Sequence, residues 1–480
     1  MRTSVILRYI GFILLFNAAF LFISFLLSLI YNDAGTFPLL FSTIICFLFG
    51  AFPMIFVPKA FDLSDKEGYV IVVVSWLLSC LVGILPYVLY GGEFTLTNAW
   101  FESVSGYTTT GSTILDNIEA VPRSLLFWRA STHWLGGIGI VVFALLIIPS
   151  IGNIKLTLYK SEMSSLAAGT FQFRAKTVLS LLVYVYVGLT VAEILALWAL
   201  GMNLFDAVCH SFATIATGGF STKNLSIAYF NSVPIEVVIQ VFMVLSGIHF
   251  GILFLAFSGK QMNIFKYTVV RYYILAIVVA ILLVAIDIHG KNYQSWGESF
   301  RYASFSVSAL TTTTGFANCD TSNWPYFSIL IMIFMMLQCA SSGSTAGGIK
   351  VDRMVIFWKS IQRQIRLLLH PNAVIPLKID KMMLRDETVD RAVAFILLYV
   401  VIVFISGLLI TAMNVDGLTA FTASATCMGN VGWGFGNIGS MSNFHDLPEL
   451  AKWILSFDML LGRMEIFGLI LIFLVRFWKD

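Results

Sequence analysis

The sequence predicts an all-α integral membrane protein, built from an N-terminal two-helix hairpin and four tandem helix–loop–helix repeats. Of its 480 residues, 58% are hydrophobic and only 11% are charged, whereas about a quarter of the residues in a soluble protein are charged. Several apolar runs reach the roughly 20 residues that a helix needs to cross a bilayer. Polar, glycine-containing segments also recur at intervals of about one hundred residues, which indicates an internal repeat.

The first two apolar runs, 8–31 and 37–57, predict a helix hairpin around the turn YNDAGTFP, and we assign it to residues 1–60. The first run is longer than the roughly 7–15 apolar residues of a signal peptide, so we expect it to remain as a spanning helix. The six cysteines are scattered and form no CxxC pair. Their spacing argues against a disulfide framework or a zinc site.

Each repeat is predicted to contain a long apolar helix, a helix too short to span, a polar loop with a glycine, and a second long helix. We assign the repeats to residues 61–155, 156–260, 261–366 and 367–480. The paired spanning helices are 69–90 with 124–149, 177–201 with 234–258, 268–289 with 326–350, and 392–413 with 450–477. With the hairpin they make ten spanning helices, and we expect the four loops to be re-entrant and to surround one central pore.

The four loops align on one glycine each. Their sequences are AWFESVSGYTTTGST with Gly111, DAVCHSFATIATGGF with Gly218, ASFSVSALTTTTGFA with Gly315, and FTASATCMGNVGWGF with Gly432. Non-helical backbone at membrane depth is tolerated only inside protein or beside a water-filled cavity. Carbonyls there can replace the hydration shell of a cation, and glycine allows the positive φ that turns successive carbonyls in one direction. The alternative is four ordinary turns that are rich in glycine and threonine.

No loop carries an Asp or Glu at its glycine, so the pattern favours a weakly hydrated monovalent cation such as potassium over a divalent one. The charge pattern also predicts an orientation. Acidic residues dominate the loop side of the predicted helices, and basic residues dominate the other side, including the run from Lys350 through Arg366. Because Lys and Arg concentrate on the cytoplasmic side, we expect the loops to enter from outside and both termini to be cytoplasmic.

Two further features interrupt the apolar pattern. The stretch SSGSTAGGIK at 341–350 lies about 20 Å into a predicted spanning helix, where its helix propensity is poor. It predicts either a broken helix beneath the loops or close helix packing through small residues. Arg463 lies at a similar depth in the last helix, where a charge is costly and points to function. Its alternative is a structural ion pair with Asp458 or Glu465.

Long stretches of this chain resemble the membrane subunit of the Trk/Ktr/HKT potassium transporters, in its Trk-like branch. The stretches are GYTTTGSTI at 106–114, HWLGGIGIVVFAL at 133–145, ATGGFST at 216–222, TTTTGF at 311–316, SSGSTAGGIKVDR at 341–353 and GRMEIFGLILIF at 462–473. The resemblance covers nearly the whole chain and includes the N-terminal hairpin. It implies potassium uptake through a selective, channel-like pore in the cytoplasmic (inner) membrane. Sodium permeation, or coupling to sodium or protons, stays open as the alternative.

In that family, each filter glycine and the two residues before it coordinate potassium. The resemblance therefore implies a filter of Thr109, Thr110, Gly111, Ala216, Thr217, Gly218, Thr313, Thr314, Gly315, Asn430, Val431 and Gly432. The fourth loop departs most from the pattern, and Gly429 is an alternative to Gly432 there. Some plant relatives that pass sodium have serine in the first loop, so Gly111 favours potassium.

The resemblance also implies gating residues and partners. The gate would be an intramembrane loop, with Arg463 facing the cavity under the filter. Its residues are Ser342, Gly343, Ser344, Thr345, Ala346, Gly347, Gly348 and Lys350. The family forms homodimers and binds a cytosolic RCK-type ring that carries the nucleotide, for which the basic stretch Lys359–Arg366 is a candidate docking surface. The gating ligand stays open.

Other functions find little support in the sequence. It contains no HExxH, GxSxG or paired intramembrane aspartates, so we do not expect an enzyme. It also lacks a P-loop lysine motif, and we expect no organic cofactor in this chain and no nucleic-acid partner. His133 and Arg129 are expected to satisfy neighbouring groups or to snorkel. His210 and His249 lack metal-ligand spacing, and we assign them structural roles as well.

Overall fold

The structure, a computed structural model, describes residues 2–58, 65–147, 175–257, 263–380 and 382–464, together with residues 466 and 469. These residues are mostly α-helical, with one short antiparallel strand pair, Lys378–Ile379 with Met382–Met383. The helices, numbered in chain order, are α1 (Thr3–Tyr31), α2 (Thr36–Phe56), α3 (Asp65–Tyr90), α4 (Leu96–Tyr107), α5 (Arg123–Ile147), α6 (Ala175–Ala199), α7 (Leu204–Ile215), α8 (Val233–Ser246), α9 (Phe250–Phe257), α10 (Thr268–Ile288), α11 (Trp296–Thr311), α12 (Tyr326–Gln338), α13 (Val351–Leu369), α14 (Asp386–Thr411), α15 (Gly417–Gly429) and α16 (Glu449–Arg463).

Several described helices are long and apolar enough to cross a bilayer by length and composition. Six of them pass this test: α1, α2, α3, α6, α10 and α14. Helices α8 and α9 pass it together, as a pair bent by 109°. The count of ten spans stays a prediction. Three of the predicted repeat boundaries lie outside the described residues, at 60/61, 155/156 and 260/261. The same is true of most residues of the last predicted helix that follow Arg463.

The N-terminal hairpin packs through small residues. A Cβ added at Gly11 of α1 would lie 2.7 Å from the carbonyl oxygen of Gly50 in α2, so the two backbones meet closely at this point. The turn between the helices is tied to the first repeat. Asp33 accepts hydrogen bonds from the backbone N–H (3.0 Å) and the hydroxyl (2.7 Å) of Ser124, at the start of α5.

Four short helices, α4, α7, α11 and α15, contain 12 to 16 residues and are largely buried. At about 1.5 Å per residue they are too short to cross a bilayer. Each begins with a side chain that accepts a hydrogen bond from a first-turn N–H group. The four capping residues are Thr95, Asn203, Ser295 and Asp416. Side-chain caps of this kind stabilise the start of a helix, so the same local sequence device delimits all four.

The capping hydrogen bonds at the start of α15 lower the pKa of the capping residue, Asp416. Burial alone would raise the pKa of Asp416, but hydrogen bonds from Thr419 and nearby backbone N–H groups hold this pKa below its usual value. The carboxylate is therefore favoured in its charged form beside the positive end of the helix dipole.

Two of the predicted spanning helices are interrupted in the structure. The break in 326–350 is one of the two alternatives that its small-residue stretch predicted, whereas the break in 234–258 was not predicted. The predicted span 234–258 is divided into α8 and α9, and the chain turns by 109° between them. The predicted span 326–350 ends at Gln338, and helix resumes at Val351. The two breaks are joined: Ser341 N–H donates to the carbonyl of Gly247 (3.0 Å), and Phe250 N–H donates to that of Gly343 (3.1 Å). Backbone groups freed by one break are thus satisfied by the other.

Candidate functional site

The four short helices end in the same backbone motif. The first residue of the motif adopts a left-handed conformation, with φ between 53° and 57°. The next residue donates its N–H to the carbonyl five positions back, as in a Schellman turn. The left-handed residues are Thr109, Thr217, Thr313 and Asn430. The backbone bonds are Thr110 to Ser105 (2.9 Å), Gly218 to Ala213 (2.7 Å), Thr314 to Ala309 (2.9 Å) and Val431 to Thr426 (2.9 Å).

Positive φ is unfavourable for threonine, because its branched Cβ crowds the backbone. Such strain costs about 1–3 kcal/mol per residue and clusters at functional sites. Its recurrence at three threonines in equivalent positions points to a site that the surrounding fold imposes.

A glycine with positive φ lies two residues after each left-handed residue. These glycines are Gly111 (84°), Gly219 (78°), Gly315 (70°) and Gly432 (121°). In the second loop the structure differs from the sequence alignment, which used Gly218. Both the φ values and the hydrogen bonds show that the equivalent triplet is Thr217, Gly218 and Gly219, and that Ala216 corresponds to Thr108 and Thr312. The doublet Gly218–Gly219 left this register ambiguous in the sequence.

In the fourth loop Gly432 holds the equivalent position, whereas Gly429 is the last residue of α15. This geometry agrees with the first of the two registers that the sequence left open. The αL residue here is Asn430, whose short polar side chain tolerates this conformation better than threonine does.

The four glycines form a closed ring. A Cβ added to any one of them would meet the carbonyl oxygen of the residue before the glycine in the next loop. The pairs, in chain order, are Gly111 with Gly218, Gly219 with Thr314, Gly315 with Val431, and Gly432 with Thr110. The last pair returns to the first loop, so four segments about one hundred residues apart in sequence surround one axis. We call these residues the glycine ring.

Side chains of the loops also connect neighbouring members of the ring. The amide Nδ2 of Asn430 donates to the hydroxyl of Thr110 (3.0 Å), and the hydroxyl of Ser112 donates to the carbonyl of Gly432 (2.6 Å). These bonds join the fourth loop to the first, where the chain closes the ring.

His133 of α5 supports the ring from behind. Its Nδ1 lies 2.8 Å from the carbonyl of Gly106, and its Nε2 accepts the N–H of Phe220 (3.2 Å). Because a carbonyl only accepts and an amide N–H only donates, these partners select the neutral Nδ1–H tautomer. A Cβ at Gly218 would clash with the imidazole, so the histidine ring lies directly behind the second loop.

Two acid–base pairs, one fully buried and one with a partly exposed arginine, lie near the short helices. Arg129 of α5 pairs with Glu102 of α4 at 2.5 Å and also donates to the carbonyl of Ser221 (2.9 Å). Arg301 of α11 pairs with Glu236 of α8 at 2.5 Å. Sequence reading assigned Arg129 a structural role but found neither partner, because each pair joins segments far apart in the chain. Both of these carboxylates are thus matched by a cation, and the ring surface itself is backbone.

The 339–350 segment, which separates α12 from α13, packs against the ends of the short helices. Gly347 N–H donates to the hydroxyl of Thr313 (3.1 Å), and the hydroxyl of Thr345 donates to the carbonyl of Ile215 (3.0 Å). A Cβ at Gly347 would meet the carbonyl of Gly429. The segment therefore contacts the second, third and fourth loops from one side. Lys350 Nζ donates back to Ala346 of the same segment.

Arg463 joins this segment to the first repeat. One guanidinium nitrogen donates to the carbonyl of Thr345 (2.5 Å) and another to that of Gly136 in α5 (3.0 Å). The alternative ion pair with Asp458 is not formed, because that carboxylate accepts hydrogen bonds from Ser406 (2.9 Å) and Ser424 (3.0 Å). Glu465, the other alternative, lies outside the described residues.

A helical membrane domain whose buried loops close a ring of backbone carbonyls has the construction of a protein that passes ions across the membrane. Known proteins match it along its whole length. A family model described as "TrkH: Cation transport protein" matches residues 38–479. The chain belongs to this family, whose members are transporters and not enzymes.

Named relatives agree with this assignment. The "Trk system potassium uptake protein TrkH" of Escherichia coli (strain K12) is 33% identical, and the alignment covers 100% of both chains. The TrkG protein of the same organism is 31% identical over 94% of both chains. Among solved structures, the potassium transporter TrkH from Vibrio parahaemolyticus superposes with a TM-score of 0.88 at 31% identity, and 100% of each chain is covered.

Proposed function

We propose that this protein takes up potassium across the cytoplasmic membrane through a selective, channel-like pore. The glycine ring is the observation that carries the proposal. Relatives identical at 31–33% are named potassium uptake proteins, and the ring offers a cation carbonyl oxygens without a carboxylate. Because a carbonyl ring suits a weakly hydrated monovalent ion, the geometry and the relatives' names favour the same substrate.

The proposed filter consists of the four equivalent triplets. They are Thr109, Thr110 and Gly111; Thr217, Gly218 and Gly219; Thr313, Thr314 and Gly315; and Asn430, Val431 and Gly432. Carbonyl oxygens of these residues would replace the hydration shell of potassium. Each triplet follows the C-terminal end of a short helix, where the dipole supplies roughly half a negative charge. Four such ends would favour a cation at the ring without binding it too tightly to leave.

The proposed gate is the 339–350 segment, held against the ring in the described conformation. The hydrogen bonds that hold it include Gly347 to Thr313, Thr345 to Ile215, and Arg463 to Thr345. Opening would require the segment to give up these bonds. Positive φ at Gly343 and Gly348, and at the non-glycine residues Cys339 and Lys350, keeps it from forming a helix in place.

Several broader expectations belong to the same proposal. The loops would face the outside and both termini the cytoplasm. The protein would act as a homodimer with a cytosolic nucleotide-binding ring, and helix α13, which carries Lys359, Arg363 and Arg366, is the candidate docking surface. The basic residues of α13 would also suit anionic lipid head groups. In that case α13 would still bind the membrane surface when the cytosolic nucleotide-binding ring is absent.

The test is uptake of potassium and sodium into proteoliposomes, with wild type compared with Gly111→Ser. We expect wild type to pass potassium selectively and the variant to admit sodium, because a side chain at Gly111 meets the carbonyl of Gly218. The matched control is Gly188→Ser, since a Cβ at Gly188 meets no atom within 4 Å. Equal sodium and potassium uptake by wild type would favour the sodium-permeable alternative, and uptake that follows an imposed sodium or proton gradient would favour coupled transport.

If the wild-type protein shows no cation uptake, a second variant distinguishes a closed gate from the absence of a pore. Deletion of residues 341–348 removes the proposed gate while the four triplets remain. Uptake that appears only in this deletion would mean that the gate is closed in the purified protein. If neither protein passes a monovalent cation, the pore proposal is wrong.

A further inference from the structure

A lateral cavity of about 120 Å³ lies between α1, α3 and α5, beside the end of α4. Its volume is comparable with the roughly 150 Å³ of an apolar cavity that accepts a benzene ring. Most of the wall is apolar and includes Phe12 and Phe16 of α1, Trp76 of α3 and Leu135 of α5. A cavity with such a wall is poorly suited to hold water.

Three polar side chains that line the cavity are engaged with one another, whereas the hydroxyl of Ser75, which also borders it, has no hydrogen-bond partner among the described residues. The hydroxyl of Tyr107 donates to Oδ1 of Asn17 (2.5 Å), and Nδ2 of Asn17 donates to the hydroxyl of Ser79 (3.3 Å). Tyr107 is the last residue of α4, directly before the first loop of the glycine ring. The floor of the cavity is therefore the back of the first repeat's short helix.

The position of the cavity decides what can reach it. Phe12 and Phe16 are 44% and 38% exposed, so the mouth of the cavity opens on the outer face of α1. They lie about 15–20 Å from the start of a helix of 29 residues. This depth falls inside the roughly 30 Å hydrocarbon core of a bilayer. The molecules available at the mouth are lipid acyl chains, since head groups and water lie at the surfaces.

We propose that this cavity takes the end of an acyl chain from a lipid of the surrounding bilayer. Burying an apolar chain end in an apolar cavity fills space that would otherwise lack packing partners. The chain would contact Gly136 as well, whose carbonyl accepts the hydrogen bond from Arg463. The occupied cavity would thus lie behind both the first loop of the ring and the anchor of the 339–350 segment.

Photolabelling tests the proposal directly and does not depend on ion transport. The full-length protein is reconstituted in phosphatidylcholine vesicles that contain a tracer lipid with a diazirine at the middle of one acyl chain. After illumination, labelled residues are located by mass spectrometry. We expect an adduct on Trp76, which is only 6% exposed and borders the cavity. Phe404, which is 58% exposed on α14, reports labelling by the bulk lipid.

A plugging variant supplies the matched comparison. Gly139 borders the cavity, and a Cβ there meets no atom within 4 Å, so Gly139→Phe places its ring in the open space. Gly188→Phe makes the same change at another open glycine, outside the cavity. We expect the Trp76 adduct to be lost in Gly139→Phe and retained in Gly188→Phe, with Phe404 labelled equally in both.

The graded variants Gly139→Ala and Gly139→Leu keep the test decisive if the phenylalanine variant does not fold. Trp76 labelling should then fall stepwise with side-chain size. No adduct on Trp76 in wild type, or equal Trp76 labelling across the Gly139 series, would overturn the proposal.

Discussion

Replacing Arg463 with alanine is the sharpest test of the proposed gate. The guanidinium donates to the carbonyls of Thr345 and Gly136, and the first of these bonds holds the 339–350 segment. A hydrogen bond from a charged donor contributes about 1.5–3 kcal/mol. Loss of the Thr345 bond alone should therefore shift the equilibrium between closed and open states by about 10- to 150-fold towards open, since each 1.4 kcal/mol is a factor of ten.

The assay is the initial rate of potassium uptake into proteoliposomes at a fixed gradient. We expect the rate of Arg463→Ala to rise by up to this factor, limited by the rate of the fully open pore. Arg391→Ala, at an exposed arginine of α14, controls for the loss of a positive charge and should leave the rate unchanged. A rate equal to that of wild type in Arg463→Ala would refute the reasoning.

Arg463→Lys separates a tether from a simple charge barrier. Lysine keeps the positive charge, but its single ammonium lacks the planar fork that reaches two carbonyls. An intermediate rate supports the tether. If lysine behaves like wild type while alanine raises uptake, the charge alone slows the ion and the tether interpretation is wrong.

Three further predictions follow from the ring and its supports. Gly219→Ala should abolish potassium-selective uptake, because its Cβ would meet the carbonyl of Thr314 at a positive φ, whereas Gly188→Ala should not; normal selectivity in both would contradict the ring. Glu102→Gln should destabilise the protein by about 3–5 kcal/mol in thermal unfolding, since it leaves a buried Arg129 unpaired; an unchanged Tm would show that the pair is dispensable. Asp416→Ala should cost about 0.5–2 kcal/mol at neutral pH through the lost cap. Asp416→Asn keeps that cap. Folding lowers the pKa of Asp416, so the charged carboxylate stabilises the folded protein at pH values above its unfolded-state pKa of about 3.9. This contribution to stability is lost as the pH falls through the folded-state pKa. Identical acid-unfolding curves for wild type and the asparagine variant would contradict this assignment.

Much of the fold class was predictable because it depends on local composition. Long apolar runs predicted membrane-spanning helices, and several of the described helices have that length and hydropathy. The motifs that suggested the Trk/Ktr/HKT resemblance are confirmed by the family match over residues 38–479. The count of ten spans and the limits of the repeats stay predictions, since parts of the chain that carry them lie outside the described residues.

The site was harder to derive. Three of the four aligned glycines hold equivalent positions in the structure, but the doublet Gly218–Gly219 offers two residues of identical type, and composition cannot choose between them. The break between α8 and α9 was also missed, because the residues from Val233 to Phe257 are mostly apolar and carry no proline after the first turn. Backbone hydrogen bonds join this break to the 339–350 segment, and such contacts between distant segments cannot be read from the local sequence.

The sequence by itself determined that this is a helical membrane protein that resembles the Trk/Ktr/HKT transporters, and that glycines follow four short helices. Hydropathy, capping residues and glycine act within one segment, so they can be read along the chain. The tertiary structure alone decided which glycine enters the ring in the second loop, which carbonyl each ring glycine faces, and where Arg463 finds its acceptors. Those features are contacts between segments that are about one hundred to more than three hundred residues apart, and they exist only once the four repeats close around a common axis.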